Sequence, residues 1–116
     1  MSYNVAIVIP PIPDSESEAW DAVDALIEAE GARPSLFDDL HGKLTAQYPC
    51  ICDLPDDEID DGAWSDGPLI NNFGHRAAVL GMSYSQVDEV LPFVISTANA
   101  MGLAVFDWAT EKIHRP

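Results

Sequence analysis

The chain has 116 residues, 47% of them hydrophobic, with 20 acidic side chains against 5 basic ones and a formal net charge of -15. That length holds one domain with a substantial core, and the apolar content excludes a disordered acidic tail. The charge repels phosphate backbones and anionic lipid headgroups, so nucleic acid and anionic membranes are disfavoured as direct partners, while a cationic protein surface or metal ions fit it.

Residues 3–9 are short and β-branched and run into Pro10, Pro11 and Pro13, which predicts a buried strand followed by a stiff connector. Ser15 with Glu18 forms a capping box. Trp20, Val23, Leu26 and Ile27 then recur at helical spacing, and Gly31 stops the helix. Asp21, Asp24 and Glu28 fall on its wet face. Ser35, with Asp38 three residues later, can cap a second helix, which carries Leu36, Phe37, Leu40 and Leu44 as its stripe and ends at Tyr48 and Pro49. Residues 50–68 read as a long acidic loop with a turn signal at 65–68, and a loop of that length in a small domain is functional or disordered. Two strands are expected at 69–73 and 76–83, joined around Gly74 and His75, the first weakened by Asn71 and Asn72. Ser85 and Asp88 cap a third helix with the stripe Val87, Val90, Leu91, Val94, Ala98 and Met101. Pro92 tightens or bends its start and Gly102 ends it. A last strand spans 103–106, and Asp107 opens a turn into a short tail over 112–116.

Setting the second helix aside leaves β-α-β-β-α-β, the ferredoxin-like order. The expectation is a single α+β domain over 1–116 with a four-stranded, mainly antiparallel sheet and helices on one face. The first and third helices would cover it, with the second helix and the 50–68 loop as an insertion at one edge.

No motif supplies a complete catalytic set. A calcium loop of EF-hand type ending its ligands around Gly62 fails because position 59 is Ile and the bidentate position is Pro68. His41, His75 and His114 lack zinc spacing, there is no nucleophile elbow, and an acidic setting would raise the thiol pKa of Cys50 or Cys52. Cys50 and Cys52 read as small, reduced, partly buried side chains in a turn, and the histidines as structural or solvent-facing. No metal, cofactor or catalytic residue is therefore assigned.

The charge is concentrated in two stretches free of Lys and Arg. One contains Asp14, Glu16, Glu18, Asp21, Asp24, Glu28 and Glu30; the other contains Asp53, Asp56, Asp57, Glu58, Asp60, Asp61 and Asp66. Trp64 lies within the second, either exposed as an interface anchor among acids or folded back to pin the loop. Trp20 reads as core, and Trp108 sits in the turn after the last strand.

Four pieces of the carboxy-terminal half carry a resemblance: Trp64-Ser65-Asp66-Gly67-Pro68, Val87-Asp88-Glu89-Val90-Leu91-Pro92-Phe93-Val94, Gly102-Leu103-Ala104-Val105-Phe106-Asp107 and Ile113-His114-Arg115-Pro116. In these the chain resembles a set of small acidic bacterial single-domain proteins, some of which act as immunity proteins to type VI or contact-dependent toxins. The resemblance implies a cytoplasmic inhibitor that neutralises a basic toxin domain, and it carries over no active-site residue.

The expected contact surface is then Asp53, Asp56, Asp57, Glu58, Asp60, Asp61, Trp64 and Asp66, with Asp21, Asp24 and Glu28 adding long-range attraction. The charge predicts a monomer when the partner is absent. The start of the chain lacks a basic, apolar leader pattern, which fits the cytoplasmic expectation. The alternative is a small enzyme or ligand-binding domain, its pocket under the second helix and lined by His41, Tyr48 and Cys50.

Overall fold

A computed structural model describes residues 3–50, 54–55, 62–65 and 68–116. In chain order these form β1 (Tyr3–Val8), α1 (Glu16–Glu28), α2 (Ser35–Gln47), a 3₁₀ turn (Leu69–Asn72), β2 (Ala77–Met82), α3 (Val87–Ala100), β3 (Ala104–Asp107) and β4 (Lys112–His114). The α+β class and the four-stranded antiparallel sheet agree with the expectation.

The order within the sheet is β2-β1-β3-β4, which departs from the expected ferredoxin-like arrangement in two places. Residues 69–72 form a 3₁₀ turn instead of a strand, and of residues 69–73 only Phe73 pairs with a strand, as an isolated bridge to Ala78. Pro68 ahead of the turn and Asn71 and Asn72 within it favour local turn bonds: Asn71 N–H donates to Pro68 O at 3.1 Å and Phe73 N–H to Ile70 O at 3.1 Å. Conversely, residues 112–114 of the supposed tail pair with β3, Ile113 lying opposite Phe106.

The helices also lie on both faces, not one. Along β1 the side chains alternate: Val5 and Ile7 join Phe37, Leu40, Leu44, Val90, Val94 and Ala98 of α2 and α3. Ala6 and Val8 join Ala19 and Val23 of α1. Val5 through Val8 are fully buried, as the uninterrupted run VAIV requires of a strand covered on both sides. The expectation that α2 is an edge insertion is corrected by the same packing, because Phe37, Leu40 and Leu44 are fully buried core. The face under α1 is lined by Ala6, Ala77 and Ala104, and these small side chains let the helix approach closely.

The N-cap of α1 falls at Ser15 as expected, while those of α2 and α3 are Pro34 and Gln86, each one residue from the expected Ser35 and Ser85, and none caps with its side chain. Ser15 is the N-cap of α1 and its hydroxyl lies 3.3 Å from that of Ser17, not on a backbone N–H. Before α3, Glu89 N–H reaches Gln86 O, so the first turn ahead of Pro92 is tight.

The α1–α2 connection is locked to the turn before β2. Gly31 has φ +144° and a Cβ there would lie 2.8 Å from the His75 ring. The ring is itself held by a 2.7 Å hydrogen bond between Nδ1 and Ala32 O. Gly31→Ala is therefore expected to cost about 2 kcal/mol of unfolding free energy through backbone strain and overlap. Adding His75→Ala should restore part of it, measured as a less-than-additive double-mutant cycle in urea. Full additivity would mean that the ring and the glycine do not press on each other.

Candidate functional site: an acidic helix face and an indole pocket

Of the expected contact residues, Asp53, Asp56, Asp57, Glu58, Asp60, Asp61 and Asp66 lie outside the described residues. Trp64 is described, and of its two expected positions the folded-back one is found, which corrects its place in the exposed contact surface. It is 1% exposed, belongs to the core under α2 and α3, and its Nε1–H donates to Tyr48 O at 2.7 Å. Its backbone bridges to Met82, Ser65 N–H donates to Gly81 O, and Ser83 N–H donates to Ala63 O. Residues 62–65 thus cover the outer edge of β2, where unpaired backbone groups would otherwise invite another strand. A large indole with its one donor satisfied inside has more to gain from burial than from display.

The first acidic stretch is exposed. Asp14, Glu16, Glu18, Asp21, Asp24, Glu28 and Glu30 are all solvent-facing, on α1 or at its ends. Trp20, Val23, Leu26 and Ile27 turn to the sheet, as their spacing predicts. Among the described residues no cation forms an ion pair with these carboxylates. Arg33 pairs with Asp38 at 2.7 Å, Arg76 donates to Ile9 O, and Arg115 donates to the backbone oxygens of Pro13 and Asp14.

At the start of α1 this face opens into a pocket of about 470 Å³ lined by Glu16, Ser17, Trp20, Trp108 and Glu111. The helix contributes the first three residues and the β3–β4 hairpin the other two. Trp20 stands edge-on against buried Phe106, ring centres 5.2 Å apart, and Trp108 meets it at 6.5 Å with the planes tilted by 49°. Trp108 remains 37% exposed. Glu111 adopts a left-handed backbone with φ 57°, a conformation glycine or asparagine would take with less strain.

The hairpin is held by Asp107, the one buried charged residue among those described, at 2% exposure. One carboxylate oxygen accepts the Tyr3 hydroxyl at 2.7 Å and the other accepts Ala109 N–H at 3.0 Å, fixing the turn that presents Trp108. Burial, then the hydrogen bond and negative charge of Asp107, push the Tyr3 phenol up to about 12. Tyr84 packs edge-on against Tyr3 and is 55% exposed.

The residues named for the alternative ligand pocket each have a packing partner. Tyr48 packs on Phe93, His41 stands edge-on to Phe73, and Cys50 is buried with its sulfur accepting Leu69 N–H at 3.3 Å. An open groove of about 600 Å³ does run between α2 and α3, but it is lined by Lys43, Gln47, Phe93, Ser96 and Thr97, among others, and not by His41, Tyr48 or Cys50. Among the described residues no cluster of His, Cys, Asp or Glu could hold a metal ion, and no helix is long and apolar enough to cross a membrane. The residues that sequence reasoning missed as a site are Trp108 and Glu111. Trp108 carried one signal, a large apolar side chain in a turn; the left-handed Glu111 carried none. Comparisons with protein-family models, with curated proteins and with solved structures found no match to this chain.

Proposed function

We propose that the chain is a binding protein whose acidic surface docks onto a basic protein domain. In the form that the resemblance implies, it is a cytoplasmic immunity protein that neutralises a cationic toxin. One observation carries the reading: the carboxylates of residues 14–30 are all exposed and gathered on or beside one helix, and among the described residues none of them is ion-paired, Arg115 meeting the start of the stretch only through the backbone oxygens of Pro13 and Asp14. A crowded negative face costs stability through self-repulsion, and its use is to attract a positive surface and speed encounter. The stretch at 53–66 adds seven more carboxylates to the same chain. Inhibition by occupying a basic cleft follows from charge mimicry of an anionic substrate.

The test is association kinetics with the product of the neighbouring gene. The on-rate should fall at least about tenfold as salt rises from about 20 to about 150 mM. A salt-independent on-rate would exclude steering by charge. Neutralising Asp57, Asp60 and Asp61 together, against Asp21, Asp24 and Glu28 together, then locates the contact: the set that costs more affinity lies at the interface.

A further inference from the structure

We infer that the pocket between α1 and the β3–β4 hairpin receives an arginine side chain of the basic partner, its guanidinium lying against the indoles of Trp20 and Trp108 between the carboxylates of Glu16 and Glu111. This rests on the basic-partner reading and names the point at which that partner is held.

Three observations converge on an organic cation. The walls are two indoles in contact, and indole faces attract cations more strongly than any other side-chain ring. Trp108 keeps more than a third of its surface in water, although the adjacent Phe106 is fully buried. Its exposed indole therefore lines the concavity where a ligand can reach it. Both charged lining groups are carboxylates, one from the helix and one from the hairpin. Among the described residues neither is ion-paired, and none of the chain's 5 basic residues lines the pocket.

Each carboxylate has a competing structural explanation, and only one of these suffices. Glu16 sits in the first turn of α1, where a negative charge favours the helix by itself. Glu111 has no such account. Its backbone is left-handed, so the hairpin carries strain that a glycine would remove, and what that strain retains is a carboxylate at the pocket. The partial positive charge at the helix start opposes a cation, but two full negative charges outweigh it. Arginine is favoured over lysine because a planar guanidinium stacks on indole and can donate to two carboxylates at once.

Nuclear magnetic resonance of the intact chain provides the readout, through the three indole Nε1–H signals, with buried Trp64 as internal reference. The probe is N-acetyl-arginine amide, and N-acetyl-citrulline amide is its neutral counterpart at matched ionic strength. The arginine probe should move the Trp20 and Trp108 signals saturably and leave Trp64 still, and the citrulline probe should move none. Glu111→Gln and Trp108→Ala should each weaken the effect about tenfold. Glu111→Gly should lose the probe while raising the thermal midpoint, which separates loss of the site from loss of the fold. Equal response to both probes, a linear response without saturation, or an unchanged titration in Trp108→Ala would overturn the pocket. These outcomes are independent of the on-rate measurement, in which a salt-independent rate removes the acidic-surface reading itself.

Discussion

Replacing Trp64 with alanine is expected to remove about 3–5 kcal/mol of unfolding free energy, a large share of the roughly 5–15 kcal/mol typical of a small domain. The indole is 1% exposed and lies in the core with Met82. Its loss leaves a cavity there and leaves Tyr48 O without the 2.7 Å bond from Nε1–H. It also frees residues 62–65 from the edge of β2, where they are held at Gly81 and Ser83. Urea unfolding followed by circular dichroism gives the value, and the thermal midpoint should fall by about 15 °C. Trp64→Phe keeps most of the ring volume and drops only the donor, so it should cost less, about 1–2 kcal/mol. A Trp64→Ala protein with unchanged stability and weakened partner binding would reverse the assignment and return Trp64 to the interface.

The elements legible in the sequence were those whose burial pattern repeats within a window. α1 showed its stripe of Trp20, Val23, Leu26 and Ile27, and α3 showed Val87, Val90, Leu91, Val94 and Ala98 through Pro92. β1 and β3 were short apolar runs bounded by prolines or glycine. What failed depended on partners remote in the chain. Lys112, Ile113 and His114 are too few to show a period, and they become a strand only because β3 offers Val105, Phe106 and Asp107 as an edge. Over 69–73 the apolar residues favour a strand while Asn71 and Asn72 favour a turn, and the local turn preference prevails. The two-sided covering of the sheet had a visible signal, since Ala6 and Ala104 sit where a one-sided sheet would place polar residues.

The candidate site was legible in part. The exposed acids of α1 followed from helical spacing alone. The pocket did not, because Trp20 and Trp108 meet only once Phe106, on the central part of the sheet, has been placed under α1. Trp64 shows the converse. Polar, acidic neighbours in sequence suggested exposure, but the bridge to Met82 and the acceptor at Tyr48 place it inside.

Removing the Tyr3 hydroxyl should both weaken the fold at neutral pH and abolish a specific alkaline loss of stability. Asp107 is buried and accepts that hydroxyl at 2.7 Å, so Tyr3→Phe takes away a hydrogen bond to a buried carboxylate, worth about 2 kcal/mol. The pH dependence follows from the same contact. The phenol is raised from 10.0 to about 12 in the fold, so the native state holds its proton over a range where the unfolded chain releases it. The unfolded state then binds fewer protons than the native state, and stability falls as pH rises. The contribution is fully present below pH 10.0 and is gone above about 12. Unfolding free energies measured across that window should decline more steeply for the native chain than for Tyr3→Phe, with the two converging at the alkaline end. Asp107→Ala should cost at least as much at neutral pH, because it also strands Ala109 N–H in the turn that carries Trp108, and it should lower arginine-probe binding at the pocket. Parallel pH profiles for the native chain and Tyr3→Phe would show that the phenol and Asp107 are not coupled, and the hairpin's hold on Trp108 would then need another source.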